Sequence, residues 1–413
     1  MTGARESIAP GVLGLDPAEL GSCVACGLCL PHCPTFRVTG LEIASPRGRI
    51  AAMRLVDEGA APIDRAFRDA MEACVQCRGC EAACPSSVPF GHLMESTRAA
   101  LEAAPRRERP WRRRAAEWWG YRVLLPHHRR LMAATWLAWA AQRLGLVPRR
   151  AGLPRLRARS LARPLRPTGA PAGAADVYLY PGCVMDAWQR DVHRAAVAVL
   201  EAGGGSVVLP GPGGDCCGAL HQHAGRLDEA RRLAGRVVAS MPGDAPIVVD
   251  SAGCGAAMKS YGDLLGTPEA RVFSARVRDF AEHVRERDLA LRPTGRAVVV
   301  QDPCHLRHVQ RAAGAVRDVL SPAYELLETD DDGLCCGAGG TYQLLRPELS
   351  AAIRDRKVAE IARAAEPTGR APVVASANPG CALHLTAAGL EVRHPAELLA
   401  DALSARDERT VDR

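Results

Sequence analysis

Cysteine occurs twice in one twelve-residue pattern, CVACGLCLPHCP at 23–34 and CVQCRGCEAACP at 74–85. Each run reads C-x2-C-x2-C-x3-C-P. Three thiolates at this spacing reach three corners of one iron–sulfur cube, and the fourth cysteine is carried by the following turn to the other cube. The prolines after the fourth cysteines fix the exit of the chain. A pair of zinc sites would instead use two CxxC pairs separated by a longer loop.

The pattern therefore predicts two [4Fe–4S] clusters with crossed ligation. The first is expected to take Cys23, Cys26, Cys29 and Cys84. The second is expected to take Cys74, Cys77, Cys80 and Cys33.

Helical spacing of apolar residues at 47–58 and 63–73 places two helices between the runs and predicts an α-helical ferredoxin. Arg47 and Arg49 could tune the reduction potential of the clusters, although the expected role of both is solvated surface charge. His32 and His92 are expected to be surface histidines, because the cysteines already complete both ligand sets.

The other eight cysteines form two matching sets, each with one cysteine after a strand, an adjacent pair and one further cysteine. The sets are Cys183, Cys216, Cys217, Cys254 and Cys304, Cys335, Cys336, Cys381. Short apolar strands lead into them, as in VYLYPGC and VVVQDPC, and helical segments alternate with the strands. This internal repeat predicts two α/β units with parallel sheets, with the cysteines beyond the carboxyl ends of strands.

The expected architecture is α+β and multidomain, an α-helical ferredoxin followed by two α/β cysteine-rich repeats. The expected parts are a ferredoxin domain at 1–104, a linker at 105–175, and repeats at 176–290 and 296–403. A length of 413 residues suits two or three domains. Clustered cysteines favour metal in a reducing compartment over disulfides. The N-terminal segment has no apolar export signal, which predicts a cytoplasmic protein.

The segment 176–403 resembles tandem cysteine-rich (CCG) domain proteins, and nearly the full chain resembles the iron–sulfur subunits of glycolate oxidases. The resemblance rests on the doubled cysteine run and on SPRGRI, CPSSV, SAGCGAAMKSYG, CCGAGGTY, ANPGC and VRHPAEL. It implies an electron-transfer subunit that takes electrons from the flavin of a partner dehydrogenase and passes them to a quinone-type acceptor. Anchor subunits of glycerol-3-phosphate or lactate dehydrogenases are an alternative, and an iron–sulfur sensor is another.

The repeats depart from heterodisulfide reductases, in which each CCG motif ends in CxxC. Ser251 and Asn378 stand where that extra cysteine would be, so each repeat offers four thiols. Four thiols suit one cubane per repeat, a site of mixed ligation, or no cluster. His221, His223 and His305 are candidate substitute ligands, but helix-surface positions are expected for them.

The sequence shows no GxGxxG after a strand, no P-loop and no catalytic triad. We therefore expect no flavin and no catalytic residue in this chain, and a partner that carries the substrate site.

The stretch 105–170 contains seventeen arginines and two acidic residues, and five of the six tryptophans. Within it, LMAATWLAWAAQRLGLV at 131–147 is too short and polar for a membrane span. Leu131, Trp136, Trp139, Leu144 and Leu146 are predicted to share an apolar side that meets an anionic membrane surface on the inner face of the cytoplasmic membrane. A core-packing helix and a flavoprotein-docking helix are the alternatives. No helix-turn-helix or RNP pattern indicates nucleic-acid binding.

Overall fold

The computed structural model describes residues 11–104, 110–147, 155–156, 158–162, 164–165, 176–331 and 333–403. Its N-terminal part is helical. The helices are α1 (Pro17–Gly21), α2 (Pro34–Thr39), α3 (Pro46–Asp57), α4 (Arg65–Glu72), α5 (Gly79–Ala82) and α6 (Phe90–Ala103), with a 3-10 turn at Glu42–Ala44.

Local signals explain where these helices begin. Pro34 occupies the first turn of α2, where no intrahelical donor is needed. The Ser45 side chain accepts a hydrogen bond from the Gly48 N–H and caps α3. Helix α3 then buries Ile50, Met53 and Val56 on one side. The first cysteine run thus ends directly in a helix, and the helix that follows packs into the core of the ferredoxin part.

The linker is also helical where it is described. Helix α7 (Trp111–Trp118) continues into a π-helical turn at Trp119–Leu124, and α8 (His128–Arg143) and α9 (Ala158–Ala162) follow. The prediction that Leu131 shares the exposed apolar side of α8 is wrong: Leu131 is buried in a cluster with Cys183 and Cys216. The exposed apolar residues at this end of the linker are Trp136, Leu137, Leu144 and Leu146.

Two four-stranded sheets follow, and every strand pair in them is parallel. The first has the order β2-β1-β3-β4, with β1 (Val177–Tyr180), β2 (Val207–Val208), β3 (Ile247–Val249) and β4 (Val277–Asp279). The second has the order β6-β5-β7-β8, with β5 (Arg296–Val300), β6 (Tyr324–Glu328), β7 (Val373–Ala375) and β8 (Glu391–Arg393). The two orders are equivalent, which confirms the α/β repeats. The domain boundaries stay predictions.

Helices cover both sheets. Those of the first repeat are α10 (Val184–Trp188), α11 (Arg190–Ala202), α12 (Ala219–His223), α13 (Leu227–Ser240), α14 (Ala252–Lys259), α15 (Tyr261–Leu265), α16 (Pro268–Arg276) and α17 (Phe280–Val284). Those of the second are α18 (Ala313–Leu320), α19 (Tyr342–Leu345), α20 (Pro347–Ala365), α21 (Pro379–Thr386) and α22 (Pro395–Ala402), with a π-helical turn at His305–Val309 and a 3-10 turn at Glu366–Thr368.

The two repeats share one hydrophobic core. Leu179 of β1 and Val300 of β5 belong to the same buried cluster, and α11 packs on α22. The repeats also meet at their last cysteine loops, where the Asn378 Oδ1 accepts from the Gly253 N–H at 3.1 Å. The two cysteine sets are therefore held in a fixed relation.

The ferredoxin part lies against the loops that follow both cysteine pairs. Gln76 Nε2 and Arg98 Nη1 both donate to the His223 carbonyl at 2.8 Å. The Tyr342 hydroxyl donates to the Ala73 carbonyl at 3.2 Å. The second cysteine run is thus placed beside both repeats.

Glycine is required for steric reasons at the position after each cysteine pair. Gly218 and Gly337 have φ angles of +80° and +86°, in the left-handed region. A Cβ on Gly337 would lie 2.5 Å from the Ser350 carbonyl oxygen, and one on Gly218 would lie 3.1 Å from the Ala230 carbonyl oxygen. The turn after the thiol pair therefore packs against the following helix too closely for a side chain.

We predict that Gly337→Ala lowers the melting temperature of the anaerobically purified chain more than Gly369→Ala does. Gly369 also has a positive φ, +60°, but a Cβ there would meet nothing within 4 Å. The control carries only the left-handed backbone cost of about 1–2 kcal/mol, whereas Gly337→Ala adds a backbone clash. Equal shifts in the two variants would contradict the steric explanation.

Candidate metal centres

The first candidate centre is a surface cavity beside the first cysteine run. Its lining includes Cys23, Cys26 and Cys29 of the first run together with Cys84 of the second. Cys80 lines the same cavity. The structure thus brings together the four thiols expected for the first cluster, although their assignment as ligands stays a prediction.

Arg47 stabilises the loop that lines this cavity. Its Nη1 donates to the Ala25 carbonyl at 3.1 Å, and its Nε pairs with Glu42 Oε1 at 2.7 Å. Burial raises the pKa of the Cys29 thiol, and the nearby Cys23 raises it further. An iron centre would supply the positive charge that stabilises thiolates in such surroundings.

The second candidate centre lies deeper. Cys33, Cys74 and Cys80 are buried. Burial raises the pKa of Cys80 well above its usual value, and the nearby thiols of Cys77, Cys74 and Cys33 add to the rise. The four thiols expected for the second cluster are therefore close enough to influence one another electrostatically. Burial favours the neutral form of Cys33 and Cys80 unless a metal replaces their protons.

Arg49 is buried, with 1% of its surface exposed, so its prediction as solvated surface charge is wrong. Its Nη1 donates to the Ala44 carbonyl at 2.6 Å and lies 4.0 Å from the Cys33 sulfur, and its Nε donates to the Ala70 carbonyl at 2.9 Å. Burial raises the pKa of Cys33, while the Arg49 charge lowers it. The guanidinium is thus part of the second centre.

Arg98, which the sequence analysis missed, lies on the other side of the same run. Its Nη2 donates to the carbonyls of Cys74 and Met71 at 2.6 and 2.9 Å. The sequence does carry a signal for its position. Arg98 is four residues after the buried Met94 and three before the buried Leu101, so helical periodicity places it on the buried side of α6. This arginine fixes the backbone at the first cysteine of the second run.

His92 was expected at the surface, and it is exposed there. Its Nδ1 pairs with Glu19 Oε2 at 2.6 Å. His32 is half-buried.

Within each repeat the four thiols form two close pairs. In the first repeat the Cys183 and Cys216 thiols influence each other's pKa, and the Cys217 and Cys254 sulfurs are 3.3 Å apart. The second repeat has the equivalent pairs, Cys304 with Cys335 and Cys336 with Cys381. Cys183 and Cys304 follow the first strand of each sheet, and Cys254 and Cys381 lie near the start of a helix.

In three of the four pairs one thiol has a lowered pKa and its partner a raised pKa. The interaction with Cys183 lowers the pKa of Cys216 to about 5, against its burial, and the same interaction raises the pKa of Cys183. In the second repeat the pKa of Cys304 is lowered in the same way by Cys335. Sulfur is a soft donor that suits iron.

The residues in place of the extra cysteine are polar. The Asn378 Nδ2 donates to the Cys381 sulfur at 3.5 Å. Ser251 is buried. The assignment of the four thiols of each repeat as metal ligands stays a prediction.

The helix-surface prediction is wrong for His221, which is fully buried. His305 is half-buried, with its Nδ1 3.5 Å from the Cys304 sulfur. The half-buried His223 meets the His305 ring edge-on at 5.3 Å and pairs with Gln76 Oε1 at 3.1 Å. The latter two histidines lie between the ferredoxin part and the repeats.

The second candidate centre touches the second repeat directly. Cys77 and Cys304 pack against a hydrophobic cluster that contains Cys335 and Val75. The Cys77 thiol also contributes, after Cys304 and Cys336, to the raised pKa of Cys335. A cysteine of the ferredoxin part and a cysteine of the second repeat are therefore immediate neighbours.

Two further observations apply to the described residues. No three or more of their His, Cys, Asp and Glu side chains converge closely enough to hold a single metal ion. None of their helices has the length and apolar character needed to cross a membrane.

Comparison with known proteins agrees with these features. Residues 19–88 match the 4Fe-4S dicluster domain, and residues 177–259 and 298–386 match the cysteine-rich domain. The chain is 33% identical to the probable glycolate oxidase iron–sulfur subunit of Bacillus subtilis, over 90% of this chain and 89% of the relative. It is 31% identical to the glycolate oxidase iron–sulfur subunit of Escherichia coli, over 93% and 94%.

A more distant relative is a subunit of the dihydromethanophenazine:CoB–CoM heterodisulfide reductase of Methanosarcina acetivorans, 26% identical over 93% of this chain and 94% of the relative. These relatives are subunits of oxidoreductase complexes, and the matched domains indicate iron–sulfur clusters. The chain belongs to the family of glycolate oxidase iron–sulfur subunits.

Proposed function

We propose that this chain is the electron-transfer subunit of a flavin-dependent glycolate (2-hydroxy acid) dehydrogenase and passes electrons from the partner's flavin to a quinone-type acceptor. The observation that carries the proposal is the contact between Cys77 and Cys335. It joins the ferredoxin part to the repeats through neighbouring cysteines. A chain that only sensed iron would not need its sites to be in contact.

The proposed ligands are the cysteines of the crossed pattern. The first cluster would be held by Cys23, Cys26, Cys29 and Cys84, and the second by Cys74, Cys77, Cys80 and Cys33. Such clusters, when bound, accept and release single electrons. Further iron–sulfur centres would be held by the thiol sets Cys183, Cys216, Cys217, Cys254 and Cys304, Cys335, Cys336, Cys381.

The surrounding residues would set the reduction potentials of the clusters and hold the cysteine runs in place. Arg49 places a positive charge next to Cys33, which favours the more negatively charged, reduced form of the second centre. Arg98 ties the start of the second run to the first repeat through the His223 carbonyl. We propose no catalytic residue and no flavin site in this chain, because oxidation of the substrate would take place on the flavoprotein partner.

We propose that the chain passes its electrons to the quinone-type acceptor at a membrane surface. Leu137 and Leu144 are 74% and 73% exposed, and Trp136 lies beside them. The Arg143 guanidinium lies over the ring of Trp139 at 5.8 Å. Apolar side chains next to arginines suit the headgroup region of an anionic bilayer, on the inner face of the cytoplasmic membrane.

The crossed ligation predicts how paired substitutions combine. In Cys26→Ser/Cys84→Ser both changes fall on the first cluster, so the second cluster keeps its EPR signal and the iron content falls by one cluster. In the matched control Cys77→Ser/Cys84→Ser the changes fall on different clusters, so both signals are damaged. The reverse pattern, measured by anaerobic EPR and iron analysis, would show that each run binds its own cluster.

The proposed function predicts that an anaerobic pull-down of the tagged chain retains a flavin-containing partner, and that glycolate bleaches the cluster absorbance of the complex. Cys77→Ser should keep the partner but slow this bleaching, because the variant damages the junction with the second repeat. Bleaching by glycerol-3-phosphate or lactate and not by glycolate would assign the substrate to those dehydrogenases. Recovery of nucleic acid without a flavoprotein would favour a sensor.

The membrane proposal predicts that the complex floats with anionic liposomes and that Trp136→Ala/Leu137→Ala floats less. The control is Val272→Ala, which removes an exposed apolar side chain from α16, away from the linker. If the wild-type complex fails to float at low salt with its partners present, the linker has no membrane role.

A further inference from the structure

The ring of His305 lies beside a cysteine sulfur of the second repeat. His305 follows Cys304 directly and begins the π-helical turn His305–Val309. Its Nδ1 is 3.5 Å from the Cys304 Sγ, which is within hydrogen-bond distance for a sulfur atom. A cysteine that binds iron has lost its proton, so its sulfur can only accept. For the contact to be favourable in that state, the Nδ1 of His305 must carry the hydrogen.

A second histidine packs against this ring. The ring of His223, which lies in α12 of the first repeat, meets the His305 ring edge-on with 5.3 Å between the ring centroids. Gln76 contacts His223 twice, because its Oε1 is 3.1 Å from the His223 Nδ1 and its Nε2 donates to the His223 carbonyl at 2.8 Å. The Arg98 Nη1 donates to the same carbonyl at 2.8 Å. Three hydrogen bonds thus fix the residue against which His305 packs.

Gln76 belongs to the second cysteine run. It stands between Cys74 and Cys77 and is buried, with 5% of its surface exposed. Its backbone N–H donates to the Cys74 sulfur at 3.4 Å. One residue therefore contacts a sulfur of the second candidate centre through its backbone and His223 through its side chain. The orientation of His305 thus depends on how the second cysteine run is placed.

The first repeat has no equivalent donor. Cys183 corresponds to Cys304, and the residue after Cys183 is Val184, whose side chain has no polar atom. Val184 packs instead against the apolar cluster that contains Cys183 and Leu131. A side-chain N–H next to the first cysteine is therefore a feature of the second repeat and not of the CCG pattern that the repeats share.

We propose that the His305 Nδ1–H donates a hydrogen bond to the Cys304 sulfur of an iron–sulfur centre in the second repeat and raises the reduction potential of that centre; this rests on the proposed function. Hydrogen bonds to the sulfurs are among the features that set the potentials of iron–sulfur clusters. A donor stabilises the reduced form more than the oxidised form, because the reduced form carries more negative charge. His305 is thus a residue that tunes the centre and not one of its ligands.

The hydrogen bond lies at the junction between the ferredoxin part and the second repeat. Cys77 and Cys304 pack against the same hydrophobic cluster, which contains Cys335. A higher potential in the second repeat favours its reduction by the second ferredoxin-type cluster, one electron at a time. His305 therefore acts on the electron transfer between these two centres, and oxidation of the substrate on the partner does not involve it.

The test is the midpoint potential of the second-repeat centre in the full-length, anaerobically purified chain, measured by redox titration with EPR. The signal of this centre is the one that Cys381→Ser removes. We expect His305→Ala to lower its potential without loss of iron. In His305→Asn the amide Nδ2–H stands near the position of the ring Nδ1, so most of the wild-type potential should return.

The matched control is His308→Ala, three residues further along the same turn. The His308 Nε2 faces the ferredoxin part, because a Cβ on Gly79 would lie 3.3 Å from it. This variant should leave the potential near that of the wild type. Pulsed EPR of the reduced chain with 15N-labelled histidine should show a weak nitrogen coupling, smaller than that of a bound nitrogen, which His305→Ala removes.

Four outcomes would overturn the proposal. Absence of the weak coupling in the wild type would show that no such bond exists, whether or not the variants keep their iron. Equal shifts of potential in His305→Ala and His308→Ala would assign the effect to the general charge of the turn. The strong coupling of a directly bound nitrogen would make His305 a ligand. Iron for only the two ferredoxin-type clusters would remove the centre itself. In each case retention of the flavoprotein partner, measured separately, would leave the electron-transfer function standing.

Discussion

Nine of the sixteen cysteines are buried, and a thiolate away from water is stable only beside a metal, a cation or a hydrogen-bond donor. The arrangement of the described chain follows from this constraint. In the ferredoxin part a buried arginine, Arg49, lies next to the second run. In the repeats the thiols pair with one another, as Cys183 does with Cys216, and share protons. Binding of iron would remove those protons and complete the charge balance, which would link metal binding to the final packing of these loops.

The duplicated repeats preserve geometry and diverge in chemistry. Strand order, the paired thiols and the left-handed glycine are the same in both, because each is needed to bring four sulfurs to one edge of a small parallel sheet. The differences lie where the repeats contact other parts of the chain. Gly340 has a φ of +62° and packs against Leu220 of the first repeat, and the Asn378 side chain accepts a hydrogen bond from the Gly253 N–H of the first repeat. The two repeats therefore differ in sequence where they contact each other.

Cysteine spacing and strand–helix alternation predicted the fold class, because both are local patterns with a direct geometric meaning. The errors concern residues whose surroundings are decided by tertiary contacts. Arg49 and His221 were placed at the surface, as isolated polar residues usually are, although 49, 53 and 56 share one buried side of α3. Leu131 was assigned to an exposed side because the contact of α8 with the first repeat has no local signature. The contact between Cys77 and Cys335 likewise has no local signature in the sequence.

The linker covers the first repeat's thiols. Leu131 of α8 packs in the cluster with Cys183 and Cys216, and the turn before α8 supplies the Tyr121 carbonyl that holds His221. The wall between these sulfurs and bulk water is therefore built from a segment whose opposite side is exposed to solvent. Anything that pulled this segment away would admit water and oxygen to the thiols. We therefore expect the access of oxygen to these thiols to depend on how firmly the linker packs against the repeat, and not on the repeat alone.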